Sequence, residues 1–324
     1  MRLKKPFFLS FLLLLVVCSG FFAFQLGFPL TPATPQVMVI APGTSTHGIA
    51  RRLEQEGVIR SALIFRILAR LRGDSLDLQS GEYRFGGAAN VLTVLQRLRH
   101  GDVVLHRLTI PEGLRSDEVL ALLAKQTDTS VEIWKQAYQG ILGGREGEGL
   151  LLPETYTYRK PLDVRQVLID MLRAQTGVLR LLLDDVLHTR ELRIIASIIE
   201  KETAIDAERP LIAAVIRNRL QRGMALQMDP TVIYGLWRED AAFSGNIRKR
   251  DLKRDTAWNT YTRKGLPPTP ICNPGKASLR AAAHPADVDY LYFVADGSGG
   301  HAFAATLAEH NRNVRRWINI ERRK

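Results

Sequence analysis

Glu200 stands where a carboxylate can do acid–base work. It closes an apolar stripe of Leu192, Ile195, Ala196 and Ile199, within the run Ala196-Ser197-Ile198-Ile199-Glu200-Lys201-Glu202-Thr203. A carboxyl at the edge of a buried helix face is partly desolvated, and desolvation favours the protonated form. A general acid for glycosidic cleavage needs that form at neutral pH. The same residues also read as a solvated helix end carrying Glu-Lys-Glu, and the local pattern leaves both readings open.

Three further stretches combine side chains suited to sugars, which offer hydroxyls at their edges and C–H groups on their faces. The first is Gln227-Met228-Asp229-Pro230-Thr231-Val232-Ile233-Tyr234-Gly235, read as a loop and a turn of helix. The second is Trp258-Asn259-Thr260-Tyr261 followed by the proline-stiffened Gly265-Leu266-Pro267-Pro268-Thr269-Pro270. Both also read as structural loops capped by Asn, Asp and Thr. The third runs from Ala282-Ala283-His284-Pro285 through the strand-like Tyr290-Leu291-Tyr292-Phe293-Val294-Ala295 to Gly299-Gly300-His301. It lacks the strand, glycine-rich turn and helix of a phosphate loop, which excludes nucleotide binding on that motif. His284, His301 and His310 have no metal-ligand spacing and read as capping or packing histidines. No Ser-His-Asp order presents itself, and neither a metal nor a cofactor is expected.

The elements that must position these residues follow from turn and cap signals. Residues 37–40 read as a strand, with a turn at Pro42-Gly43 and a helix that Thr46 caps and that runs to Glu56. Ser61 opens a second helix, residues 80–85 form a short strand, and Asn90 caps a helix to His100 that Gly101 ends. A weak repeat at an offset of 70 residues places Ile40, Gly43, Ile49 and Leu53 on Ile110, Gly113, Val119 and Leu123. Each copy reads as a strand, a glycine turn and an amphipathic helix. From residue 164 the pattern turns helical, over 164–175, 179–187 and 191–204. A further helix starts near Pro210, with Gly223 past its end.

The chain of 324 residues accommodates two domains. Its 46% hydrophobic and 24% charged residues are ordinary for globular proteins and exclude disordered, collagen-like and coiled-coil chains. Two cysteines, Cys18 and Cys272, exclude a disulfide scaffold and a cysteine zinc site. Arg2, Lys4 and Lys5 precede a charge-free apolar stretch over residues 7–30. That stretch reads as an uncleaved membrane anchor rather than a signal peptide, because the apolar run continues past the small residues near Gly20. The basic residues ahead of it place the N-terminus inside and the body outside. The net charge is +12, of which +9 then lies outside the cytoplasm. A basic body in that compartment suits anionic lipid or wall carboxylates, or reads equally as a generally solvated basic surface, and nucleic acid is not an expected partner.

Taken together the motifs resemble the YceG-like family of endolytic murein transglycosylases. The resemblance rests on residues 196–203, Glu208-Arg209, Asn218-Arg219-Leu220 and residues 224–235, then on Asn259-Thr260-Tyr261, Gly265-Leu266-Pro267-Pro268 and Asn273-Pro274-Gly275. It continues through residues 281–285, residues 290–297 and Gly300-His301, and upstream over residues 148–156. It implies an α+β protein with an N-terminal transmembrane helix, a LysM-like α/β subdomain and a mainly helical, lysozyme-like catalytic domain with a small β portion. The expected division is a cytoplasmic N-terminus over 1–6, the anchor over 7–30, a linker over 31–36, the LysM-like and adjoining α/β region over 37–152 and the catalytic domain over 153–324. The family's catalytic glutamate corresponds to Glu200, and Gln227, Asp229, Tyr234, Asn259 and Tyr261 match motif positions expected to line the cleft.

The implied activity is lytic cleavage between N-acetylmuramic acid and N-acetylglucosamine in nascent peptidoglycan, leaving 1,6-anhydro-muramyl ends and ending strand elongation. The implied location is the inner membrane, single-pass, with the catalytic domain in the periplasm and wall-synthesis enzymes as partners. Two alternatives stay open: a lysozyme-type hydrolase using Glu200 with Asp229, and a membrane-tethered wall-binding scaffold without catalysis.

Overall fold

Small polar residues set the first helices, as their spacing predicts. The structure, a computed structural model, describes residues 5–74, 77–182 and 188–322. Helix α1 spans Lys5–Gly27. Several of its side chains, that of Cys18 among them, lie outside the described ones. Among the described residues no helix is long and apolar enough to cross a membrane.

The chain divides into two compact units, residues 1–107 with 157–163 and residues 108–156 with 164–324. In the first, β1 (Gln36–Ile40) leads to α2 (Thr46–Gln55), α3 (Ala62–Leu71), β2 (Gly81–Phe85) and α4 (Val91–His100). Ser45, rather than the expected Thr46, caps α2 by accepting from the Gly48 amide. Ser61 and Asn90 cap α3 and α4 in the same way, and Gly101 closes α4 with a positive φ of 64°. β1 and β2 pair antiparallel with Met38 opposite Tyr83. Met38, Leu53, Phe65, Tyr83, Leu95 and Leu98 are fully buried between this pair and the helices.

The repeat is visible in the order of elements. β3 (His106–Thr109), α5 (Ser116–Thr127), α6 (Val131–Leu142) and β4 (Thr155–Tyr158) follow one another as β1, α2, α3 and β2 do. Gly43 and Gly113 both have φ of 77° in the turn before the first helix of each copy. Residues 108–152, grouped by the sequence reading with the N-terminal region, lie in the second unit.

The rest of the second unit is mainly helical: α7 (Val164–Leu182), α8 (Thr189–Glu202), α9 (Arg209–Gln221), α10 (Asp229–Glu239), α11 (Lys276–Ala283) and α12 (Leu307–Glu321), with the hairpin β5 (Tyr292–Ala295) and β6 (His301–Ala304). α7 runs unbroken through Gly177, where two helices are expected from the sequence. A lone glycine costs a helix only about 1 kcal/mol, and Leu168, Met171 and Leu179 bury the same face on either side of it. Residues 183–187, the end of the second expected helix, lie outside the described residues. The stretch after Gln227 is a full helix rather than a single turn. Pro230 sits in its first turn, where a missing N–H costs nothing. α8 packs on α9 and α11. Ile194, Ile198 and Ile199 meet Ile212, Val215, Ile216 and Met228 in one core cluster, while Ala196 and Leu192 meet Leu152, Leu179 and Leu279 in another. α8 is thus held on both flanks, and its last turn is carried to the surface on a fixed support.

Candidate active site

The last turn of α8 projects Glu200, Lys201 and Glu202. The Glu200 side chain is 6% exposed. Its Oε2 accepts from the Gly275 amide at 2.9 Å, and Arg209 Nη2 stands 3.8 Å from Oε1. Arg209, the first residue of α9, is itself buried, lies 3.3 Å from Asp206 and donates to the Thr203 carbonyl at 3.4 Å. Glu200 is therefore a carboxyl set in the wall of a cavity and oriented by one backbone N–H and one guanidinium. This cavity, of about 390 Å³, is lined by Glu112, Gly113, Glu200, Lys201, Glu202 and Arg209.

The segment that supplies the Gly275 amide is tied down by buried polar groups. Ser197 Oγ accepts from the Ile271 amide at 3.0 Å, and the Cys272 thiol donates to the Ser197 carbonyl at 3.4 Å. Asn273, with no exposed surface, accepts from the Leu151 amide at Oδ1 and donates from Nδ2 to the Leu114 carbonyl and Ser116 Oγ. Its backbone exchanges hydrogen bonds with Gly113 and Leu114. One buried amide side chain thus joins the turn before α5, the approach to β4 and the segment carrying Gly275. Cys272 is fully buried, and burial pushes its thiol well above the ordinary range, so it serves packing.

A second cavity, of about 310 Å³, is lined by Glu202, Gln227, Asp229, Tyr261, Phe293 and His301, among others. Glu202 borders both cavities. Burial, then the nearby charge of Asp229, pushes its carboxyl up to about 8, against the opposing charge of Arg219. It is a carboxylic acid at neutral pH, able to donate a hydrogen bond. Asp229 Oδ1 accepts from the Tyr261 hydroxyl at 2.5 Å, and Gln227 holds a positive φ of 50° with its amide on the Thr260 carbonyl. A left-handed conformation at a non-glycine residue is a local cost that surrounding structure must impose, and such residues cluster at binding sites.

His301 takes a role that its spacing alone did not define. Its Nδ1 lies 2.7 Å from Glu208 Oε2, and its backbone N–H donates to Glu208 Oε1 at 2.7 Å. Thr203 Oγ1 donates to the same carboxylate at 2.8 Å. Burial works against ionisation of Glu208, but the hydrogen bonds from His301 and Thr203 outweigh it and hold the carboxyl below its ordinary value. An anionic Glu208 makes Nδ1 the protonated nitrogen and orients the ring at the cavity wall. Among the described residues no group of His, Cys, Asp and Glu is placed to hold a metal ion.

Of the residues expected at the site, Glu200 lines the first cavity, and Gln227, Asp229 and Tyr261 line the second. Tyr234 and Asn259 line neither. Tyr234 is 3% exposed, and its hydroxyl donates to Glu148 Oε2 at 3.1 Å. Its ring borders a separate cavity of about 160 Å³ with Lys201 and Pro230. Asn259 is fully buried: Nδ2 donates to the Leu252 and Arg254 carbonyls, and Oδ1 accepts from the Tyr261 amide at 2.8 Å. It supports Tyr261 from behind, because every polar atom it has is spent on backbone. Glu112, Glu202, Arg209, Glu208 and His301 complete the site. Asn218 and Arg219 donate to carbonyls of Val288, Tyr290 and Leu291, fastening α9 to the start of β5.

A mainly helical α+β unit that presents an oriented carboxyl in one cavity, next to a polar and aromatic cavity, has the build of an enzyme. The chain belongs to the YceG-like family, whose sequence profile matches residues 38–316. An endolytic murein transglycosylase of Bacillus subtilis is 28% identical over 312 residues, covering 88% of this chain and 85% of that protein. An endolytic murein transglycosylase of Streptococcus pneumoniae is 29% identical, over 97% of this chain and 66% of the longer relative. The crystal structure of a YceG-like protein from Listeria monocytogenes matches 86% of this chain and 98% of its own, with 30% identity and a TM-score of 0.56.

Proposed function

We propose that this chain is an endolytic peptidoglycan transglycosylase that cleaves nascent glycan strands between N-acetylmuramic acid and N-acetylglucosamine. The observation that carries the reading is Glu200, a carboxyl at a cavity wall oriented by Gly275 and Arg209, in a chain whose relatives bear that activity in their names. Protonated Glu200 donates to the glycosidic oxygen as the C1–O bond breaks, and an oxocarbenium-like centre forms at C1 of the muramyl sugar. Glu200, now a carboxylate, removes the proton of that sugar's own C6 hydroxyl. The oxygen attacks C1 and closes a 1,6-anhydro ring. One carboxyl serves both steps and no water is consumed. Arg209 stabilises the carboxylate between them.

The second cavity holds glycan. Tyr261 and Phe293 offer ring faces to sugar C–H groups, while Asp229, Gln227, His301 and the acid form of Glu202 bond hydroxyl and acetamido groups. Anchoring is part of the same proposal and rests on the charge-free residues 7–30 behind Arg2, Lys4 and Lys5. It places the body in the periplasm, a LysM-like repeat against the wall and wall-synthesis enzymes within reach. The test is release of soluble glycan from purified sacculi by the wild-type and Glu200→Gln proteins. The wild type is expected to release fragments and the variant none; a variant with substantial activity overturns the assignment.

A further inference from the structure

The turn that opens the second copy of the repeat carries a carboxyl that the turn itself does not need. At the offset of 70 residues, Ala41-Pro42-Gly43 falls on Pro111-Glu112-Gly113, so the first copy builds the same turn with Pro42 where the second has Glu112. The surroundings of the two glycines differ. A Cβ on Gly43 would meet nothing within 4 Å, whereas one on Gly113 would lie 3.7 Å from Glu200 Cγ and from Lys201 Cδ. Lys201 Nζ donates to the Gly113 carbonyl at 3.3 Å, and the Gly113 amide donates to the Asn273 carbonyl at 3.1 Å. The second copy of the turn is thus built into the wall of the Glu200 cavity.

Glu112 and Glu200 both line that cavity and flank Gly275. The Gly275 amide is bonded to Glu200, and a Cβ on Gly275 would overlap Glu112 Oε1, so the Glu112 carboxyl lies directly against Gly275 and would have to turn away from any larger residue there. With standard bond lengths these contacts put the two carboxyls no more than about 8 Å apart. Glu112 is exposed and has no hydrogen bond or ion pair among the described residues. Resting on the reading of Glu200 as the acid, we propose that Glu112 is a positioning residue for the reaction. Its charge across Gly275 makes the pair retain a proton, which Glu200 delivers to the glycosidic oxygen.

The charged groups around the pair fit this arrangement. Partial desolvation, then the charge of Glu200, raises Glu112 above the ordinary carboxyl range; Arg209 opposes this, and Asp206 and Glu154 add to it. Lys201 is bonded to the Gly113 carbonyl and Glu154 is paired with Lys276. Two carboxyls that repel titrate as a pair, and the second proton leaves at a higher pH than it would from either alone. Removing the Glu112 charge takes away the repulsion within the pair and leaves the Arg209 guanidinium, 3.8 Å from Glu200 Oε1, unopposed.

The test is the pH dependence of kcat/KM for the full chain in detergent on purified uncrosslinked glycan strands, with Glu112→Gln, Glu112→Ala and Glu112→Asp. Both neutral variants are expected to move the high-pH limb down by about one pH unit, with activity on that limb falling about tenfold and KM little changed. Glu112→Asp is expected to keep most of the wild-type limb. Neutral variants whose limb stays in place overturn the proposal, whether activity is unchanged or lowered uniformly as a structural role would lower it. An active Glu200→Gln protein overturns the reading of the acid itself. An inactive Glu200→Gln with an unmoved limb in the Glu112 variants overturns the pairing alone.

Discussion

Replacing Glu202 by Gln is expected to stabilise the second unit at neutral and alkaline pH. The folded carboxyl keeps its proton to about 8, while the unfolded one loses it near 4.5. Folding therefore takes up a proton between those values, and the contribution, fully present below 4.5, is lost as pH rises through 8. A glutamine has no proton to take up and removes this slope. The whole rise corresponds to about 5 kcal/mol at about 1.4 kcal/mol per pH unit. Glu202 borders two open cavities, and solvent there screens part of the effect, so a relative gain of about 2–4 kcal/mol is expected between pH 4.5 and 9. All four tryptophans, Trp134, Trp237, Trp258 and Trp317, lie in the second unit. Urea unfolding followed by their fluorescence therefore reports this unit. Wild-type and Glu202→Gln stabilities that run parallel across that pH range would refute the reasoning.

Other outcomes follow from the same contacts. Gly275→Ala places a methyl group against Glu112 Oε1 beside the amide bonded to Glu200; glycan cleavage is expected to fall at least about tenfold, equivalent to about 1.4 kcal/mol, with the thermal midpoint changed by only a few degrees. Asn273→Ala leaves the Leu151 amide without its buried partner, while the Leu114 carbonyl keeps the backbone amide of residue 273, and a loss of about 1–3 kcal/mol is expected in urea unfolding. His301→Ala removes a cavity-lining ring and leaves Glu208 without it; KM for glycan strands is expected to rise several-fold with kcat changed less. A pure kcat loss in steady-state kinetics would place His301 in the chemistry instead.

Local signals in the sequence carried far where the structure is local. Ser61 and Asn90 cap the helices they are expected to cap, Gly101 ends α4, Gly223 lies just past the end of α9, and Glu200 lies at the edge of the stripe that buries α8. Two elements are longer than expected: the gap between the helices expected over 164–175 and 179–187 is closed in α7, and the loop and turn of helix expected over 227–235 become α10 from Asp229, because tertiary packing buries a continuous face of each. Tyr234 and Asn259 have side chains that suit sugars, but burial decides their use, and no spacing in the chain reveals that they face inward. Glu112 was illegible for another reason. It lies in a turn 88 residues upstream of Glu200, and its only trace in the sequence is its departure from Pro42 in a repeat whose matching positions are apolar or glycine. The pairing of His301 with Glu208 spans 93 residues and left no local signal beyond the two short motifs that contain them.

The central claim is that Glu200 cleaves glycan without consuming water. The most direct test is mass spectrometry of the sugar ends released from purified glycan strands by the full chain, alongside Glu200→Gln. The account predicts 1,6-anhydro-muramyl ends from the wild type and no new ends from the variant. Reducing muramyl ends, heavier by one water, would make the protein a hydrolase and contradict the mechanism.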